Sequence, residues 1–393
     1  MSQRPVVGGD FLSAGEPTCR PCPDCAAPEP VAAPGESQGG TLSRRTFVRV
    51  AAAGVAGALT AGTSESGRGL VGNVCRAADE SKAGKSSETL VKSLYDSLSS
   101  AQRDEICFPW DHTDDRGLLR THVSNNWHIT DEDKFNVVSS FFTSDQKEMI
   151  REIFFSLYNP EWKDRIVKQL GDDAGGYGRH QSIALFGEPG TGKFQFVMTG
   201  RHLTIRCDGD SAEHVAFGGP IFYGHAAAGF NEPADHPGNV YWPQAQAANN
   251  LFKMLDGKQR EQSLVKVAPP EAKVGFKGDA LKTAGEGLAI AELSADQKAH
   301  AQGVLKLLME PYRLSDRGEA LRLLDKQGGL DACRLSFFRQ AANGSSLDLG
   351  DDGVWDVWRL EGPSFVWHYR GVPHVHVWVN VADDATLPLN ARG

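Results

Sequence analysis

Two blocks of short strand-like segments, held apart by helical stretches, constrain the fold of this chain most. The first block runs through residues 183–186, 194–199, 203–207 and 215–217, the second through 334–338, 354–360, 365–369 and 374–380. These segments are separated by turn-forming residues. Helical spacing of apolar residues predicts helices over 89–103, 149–157, 162–170, 244–255, 295–310 and 317–324. Thr143-Ser144-Asp145-Gln146 reads as the start of the second of these. Strand runs alternating with helix runs predict an α+β fold, an antiparallel sheet with flanking helices, rather than a doubly wound parallel sheet. No internal repeat is evident. A chain of 393 residues can bury a large core, and residues 88–393 are assigned to a single domain.

Residues 1–62 read as an address rather than a fold. Ser43-Arg44-Arg45-Thr46-Phe47-Val48 precedes an apolar, small-residue run from Val50 to Ala61. Paired arginines, a following phenylalanine and a mild hydrophobic run resemble a bacterial twin-arginine export signal. The expected partner is therefore the twin-arginine export machinery, and the expected location is the periplasm or the outer side of the cell envelope. The run is too short and too rich in Ala and Gly for a comfortable transmembrane helix. The membrane is a strong partner only if the leader stays uncleaved as an anchor. Cys19, Cys22 and Cys25 lie in the Pro- and Ala-rich part of this leader. They are spaced for thiolate ligation but lack an evident fourth ligand, and an unstructured thiol-bearing tail is the better reading. Residues 63–87 read as a linker. Cys107, Cys207 and Cys333 are scattered singly and are expected to be buried small hydrophobes.

A formal net charge of −9 and the lack of a basic stripe argue against nucleic acid as a main partner. Gly187-Glu188-Pro189-Gly190-Thr191-Gly192-Lys193 matches a phosphate-binding loop up to its last position, where Phe194 replaces the required hydroxyl. The alternating Phe194-Gln195-Phe196-Val197-Met198 predicts a strand after it, not a helix. A hairpin loop without a nucleotide is the better reading.

The chemistry concentrates in Trp367-His368-Tyr369-Arg370-Gly371-Val372-Pro373-His374-Val375-His376-Val377-Trp378. This reads as two strands joined by a Gly-Pro turn. His374 and His376 point to one face. With the turn centred on Gly371, His368 lies directly across from His374. Three imidazoles on one patch of a rigid hairpin suit a metal site. The competing reading is a sheet face whose histidines hydrogen-bond to carbonyls. His202, His128 and the loop histidines His225 and His236 are each weaker candidates taken singly.

Gly200-Arg201-His202-Leu203, Leu255-Asp256-Gly257-Lys258-Gln259-Arg260 and Glu361-Gly362-Pro363 with the closing His374-Val375-His376-Val377-Trp378 together resemble the bacterial domain-of-unknown-function family 3500. Leu98-Ser99-Ser100-Ala101-Gln102-Arg103 and Phe108-Pro109-Trp110 fit its opening. The resemblance spans roughly residues 89–383. It implies that His202, His374 and His376 form one constellation. Arg201 replaces the usual first histidine of the Gly-His-His-Leu motif, Pro373 and Val379 replace Asn and Arg in the closing motif, and His368 stands where relatives carry glutamate. A Glu-for-His exchange suits either a metal-ligand position or a solvent-facing polar one.

The expectation is an exported metal-binding protein, in all an oxidoreductase or hydrolase acting on a small molecule. His202, His368, His374 and His376 would be the ligands, and Glu361, Arg370 and Tyr223 would supply orienting or acid–base groups. All-imidazole ligation favours copper or zinc, with iron if a glutamate joins. The rivals are a non-enzymatic ligand or metal carrier, and a sheet in which the histidines are purely structural.

Overall fold

The computed structural model describes residues 86–227, 238–347 and 354–393. The leader with its three cysteines, the linker up to residue 85, Cys75 and His236 lie outside them. Residues 84–393 form one compact unit, and its architecture is α+β. No helix among the described residues is long and apolar enough to cross a membrane.

The first half contains helices α1 (Ser87–Ser97) and α2 (Ser100–Ile106), strand β1 (Cys107–Phe108), helices α3 (Ser144–Ser156) and α4 (Lys163–Ala174), and strands β2 (Gln181–Gly187), β3 (Phe194–Gly200), β4 (Leu203–Cys207) and β5 (Ile221–His225). The second contains α5 (Trp242–Met254), α6 (Gly257–Ser263), β6 (Leu264–Val267), β7 (Leu288–Ala289), α7 (Ala295–Met309), α8 (Leu314–Lys326), β8 (Arg334–Gln340), β9 (Val357–Gly362), β10 (Phe365–Arg370) and β11 (Val375–Val381). These strands make one 11-stranded sheet in the order β1-β2-β3-β4-β5-β11-β10-β9-β8-β7, with β6 also on the outer edge of β8. It is two antiparallel meanders, β2 to β5 and β8 to β11, joined where their last strands pair.

The two faces differ. Residues such as Ile183, Phe196, Leu203, Tyr223, Val377 and Trp367 turn to the helices and share their core with Leu94, Ile153, Leu251 and Leu308. The opposite face carries Phe222, Val366 and Trp378 and is covered by the short strand His122–Ser124 through Val123 and by irregular chain through Val274. Trp127 of that cover donates its Nε1–H to Thr204 Oγ1 at 2.8 Å.

Apart from the short helices Glu132–Phe135 and Ala280–Ala284 and strand β7, the order helix, helix, parallel edge strand, helix, helix, meander occurs twice. Its sequence signature is confined to helix starts. Ser99 with Gln102, Thr143 with Gln146, Asp256 with Gln259 and Ser294 with Gln297 are four reciprocal capping boxes. The glutamines then pair across helices. Gln102 and Gln146 exchange amide hydrogen bonds at 2.8 and 3.1 Å, and Gln259 and Gln297 do the same at 3.1 and 2.8 Å. Gln146 also donates to the carbonyl of Ser97, the last residue of α1, as Gln297 does to Met254, the last of α5. Arg103 stacks on Tyr95 and Arg260 on Phe252, each eight residues before it. The strands retain no such identities, because a packed sheet face accepts many apolar residues.

Other expectations are corrected locally. Residues 215–217 are not a strand, since Ala216–Gly218 is a 3-10 turn. Ile221–His225, expected in a loop, is the central strand β5. Residues 187–194 do form the expected hairpin, with Gly187 opposite Phe194 in an antiparallel pair. Cys207 and Cys333 are buried and Cys107 is half-buried.

One carboxyl of α8 makes stability depend on pH. Burial, then the charges of Asp208, Asp316 and Asp210, raise Glu319 from its ordinary 4.5 to about 7. The folded state thus holds a proton that the unfolded chain releases, so stability falls as pH rises from about 4.5 through 7. Thermal unfolding of Glu319→Gln should show a higher midpoint than the parent at pH 8 and no gain near pH 4. An equal gain at both values contradicts the assignment.

Candidate metal centre

Three imidazoles meet at one end of the β5–β11 seam. His376 lies on β11 across from Gly224 of β5 and from Arg370 of β10. His374 stands just before β11 and, two residues earlier, faces the same way. His202 is the second residue of the two-residue turn between β3 and β4. Its backbone is left-handed, with φ 53°, and its N–H donates to Asn126 Oδ1 at 3.1 Å. Such a conformation in a non-glycine residue persists where the surroundings over-determine it.

Gly224 makes the approach possible. A Cβ there would stand 2.2 Å from the Val375 carbonyl oxygen and 3.1 Å from His202 Cδ2. Without it, His202 Nε2 comes within 3.1 Å of His376 Nε2, and His374 Nε2 within 2.9 Å of the same atom. Ring centroids form a nearly equilateral triangle of 4.9, 5.0 and 4.7 Å. Ligands ~2.1 Å from a tetrahedral ion would stand about 3.4 Å apart, a little more than the 3.1 and 2.9 Å between the Nε2 atoms. His202, His374 and His376 can therefore hold a metal ion.

Two carboxylates stand behind the rings. Asp173, near the end of α4, places Oδ2 2.9 Å from His202 Nδ1, an ion-pair contact bent from the ideal hydrogen-bond direction. The same oxygen accepts from Gln169 Nε2 at 2.7 Å, and Oδ1 accepts from the Ala226 N–H at 2.8 Å. Glu271, on the irregular cover, places Oε2 3.0 Å from His376 Nδ1 and accepts from Trp378 Nε1–H at 3.2 Å. Its other oxygen pairs with Arg370 at 2.7 Å.

The electrostatics favour ionised carboxylates and neutral rings at His374 and His376. Burial pushes both carboxyls up, but the histidine beside each outweighs it, aided by Arg370 at Glu271, and both end below their ordinary values. Burial, then Arg370, lowers His376 to about 3. Burial and the two neighbouring imidazoles push His374 far below its ordinary range. A neutral ring with its proton on Nδ1, toward a carboxylate, presents a bare lone pair at Nε2. In that tautomer His376 aims its Nε2 lone pair at His202 Nε2, 3.1 Å away.

The remaining sequence candidates are placed elsewhere. The turn between β10 and β11 centres on Pro373, not Gly371, because Arg370 pairs with His376. His368 therefore pairs with Trp378 rather than His374. It keeps the same face but accepts from Arg359 Nε at Nδ1, 3.2 Å away, and does not join the triad. Glu361, also on that face, lies two strands from His376 and pairs with Lys277 at 2.8 Å. Tyr223 projects to the helix side, where its hydroxyl donates to Gln244 Oε1 at 2.8 Å and accepts from Trp367 Nε1–H at 3.0 Å. Arg370 does reach the site, through Glu271 and a 3.3 Å bond to the His374 carbonyl. His225 is buried against Asp172 at 3.1 Å, and His128 pairs with Glu132 at 3.0 Å.

Asp173, Glu271 and Gly224 escaped the sequence reading. Only Gly224 left a signal, a glycine inside an otherwise apolar strand, which marks a close approach.

The chain belongs to the family described as Protein of unknown function (DUF3500), whose model matches residues 80–347. That span includes His202, Asp173, Gly224 and Glu271 and ends before His374 and His376. No curated protein and no solved structure matches the chain.

Gly224→Ala should lower the unfolding free energy by about 1–3 kcal/mol through overpacking, measured by denaturant titration. An unchanged midpoint would show that the seam has slack.

Proposed function

We propose that this protein binds one transition-metal ion through His202 Nε2, His374 Nε2 and His376 Nε2 and is a metal-dependent enzyme acting on a small molecule. The observation that carries this reading is the pair of carboxylate-backed imidazoles facing each other at 3.1 Å. One proton can bridge only two of the three ring nitrogens, whereas a metal cation can be shared by all three. Imidazoles with outer carboxylates suit zinc or copper, and iron remains compatible. Three protein ligands leave a position for water or substrate, unlike a closed four-ligand site. Zinc there would supply an activated water, and copper or iron would supply redox chemistry.

The chain's own residues have definite roles in this reading. Asp173 and Glu271 hold the Nδ1 protons and fix which nitrogen faces the ion. Arg370 anchors Glu271 and the His374 backbone together. Export through the twin-arginine route is part of the proposal, supported by the order of residues 43–61. That route carries folded proteins, which suits a metal loaded before export.

The depth of the triad favours a second reading, a metal-binding protein without turnover, since its histidines are only 1–2% exposed.

Untagged protein should carry about one equivalent of a transition metal by elemental analysis, and His376→Ala should lose it. Less than about a tenth of an equivalent, with no uptake on reconstitution, would sink both readings, given a one-ion site. Glu271→Gln should weaken affinity by about 10–100-fold without removing a ligand. Azide should perturb the spectrum of the cobalt-substituted protein if a position is open, and leave it unchanged if the site is closed.

A further inference from the structure

A cleft of about 210 Å³ lies on the same sheet face as the triad, toward the other end of the seam. Asn380 contributes to it from β11, four residues and roughly 13 Å beyond His376. The internal repeat explains the location. The two-residue turns after β3 and β9 correspond, as do the pairs Leu203–Tyr223 and Phe365–Val381 that follow them. Ile221 and Val379, which pair across the seam, are then each other's equivalents. The approximate two-fold through that pair carries His376 onto Gly218 and His202 onto Ser364. Gly218 lines the cleft. The counterpart of the metal centre is thus free of histidine and open.

Its polar groups are unpaired in a specific way. The Arg120 guanidinium rests on the Trp110 ring, 4.1 Å from the centroid. Its Nε is buried, and the group makes no hydrogen bond or salt bridge among the described residues. Asn380 is 3% exposed, and its Nδ2–H2 is also without an acceptor. Buried donors are normally satisfied, so two on one cleft call for an acceptor from outside the chain. Lys193 also lines it but is held by Glu213 at 3.2 Å. Among the lining residues Arg120 and Lys193 are positive and Glu213 negative, and the carboxylates of Asp111 and Asp208 act on Arg120 from just outside the lining. Phe276, Leu387 and Leu389 complete an apolar wall.

We propose that this cleft binds a small monocarboxylate with an apolar body, its carboxylate on Arg120 and Asn380. The acidic neighbours of Arg120 oppose a phosphate dianion more than a monoanion. The volume is below the roughly 300–1,000 Å³ of sites for drug-sized ligands, so the ligand is small. This site does not depend on the metal reading.

Benzoate, titrated into metal-free full-length protein by calorimetry, should bind saturably at one site. Benzamide, its neutral counterpart, should bind at least about tenfold more weakly, as loss of a charge-assisted hydrogen bond requires. Arg120→Gln should weaken benzoate by a similar factor while Arg120→Lys retains part of it, and His376→Ala should leave it unchanged. Equal binding of benzoate and benzamide, displacement of benzoate by equimolar inorganic phosphate, or no saturation at millimolar benzoate would each overturn the proposal. So would binding that appears only in metal-loaded protein, which would put the carboxylate on the triad.

Discussion

Everything that reaches the triad depends on the antiparallel pairing of β5 with β11. Among the described residues it is the only strand pair that joins the two meanders, and it brings Gly224 opposite His376. His202 is delivered by the neighbouring turn, into space that a side chain at residue 224 would occupy. The ligands thus come from both halves of the repeat, and so do their carboxylates. A metal there would tie together two halves that otherwise meet through backbone hydrogen bonds, aromatic packing and helix contacts.

The polar groups around the rings resolve a problem that burial creates. Three imidazoles inside a dry seam cannot all be charged, because desolvation opposes it and like charges add to the cost. Ionised Asp173 and Glu271 are likewise tolerable only beside groups that offer them protons or positive charge. Each carboxylate accepts at least two hydrogen bonds or ion pairs. The outcome is a rigid arrangement in which the ring orientation is set from behind, which is how outer groups tune metal sites.

Much of the fold was legible because helix starts and strand alternation are local. Thr143 and Gln146 mark the start of α3 from four adjacent residues, and the Phe194-Gln195-Phe196 alternation separates a hairpin from a phosphate loop. His374 and His376 were legible for the same reason. The register between β10 and β11 was not, because it depends on a four-residue turn that could as well have been centred two residues earlier. Strand β5 was hidden by Gly218-Gly219-Pro220 before it and by Gly224 inside it, residues that locally favour loops. Asp173 and Glu271 reach histidines 29 and 105 positions away, 202 − 173 and 376 − 271, and nothing near either residue announces the contact. The repeat was invisible because its two copies share capping residues and little else.

The most direct test of the central claim is X-ray absorption on the metal-loaded full-length protein. With the ion on the triad, the first shell should contain nitrogen and oxygen only, at ~2.0–2.1 Å for zinc, with the outer-shell pattern of three imidazoles. A sulfur shell near ~2.3 Å would place the metal on the leader cysteines and contradict the account.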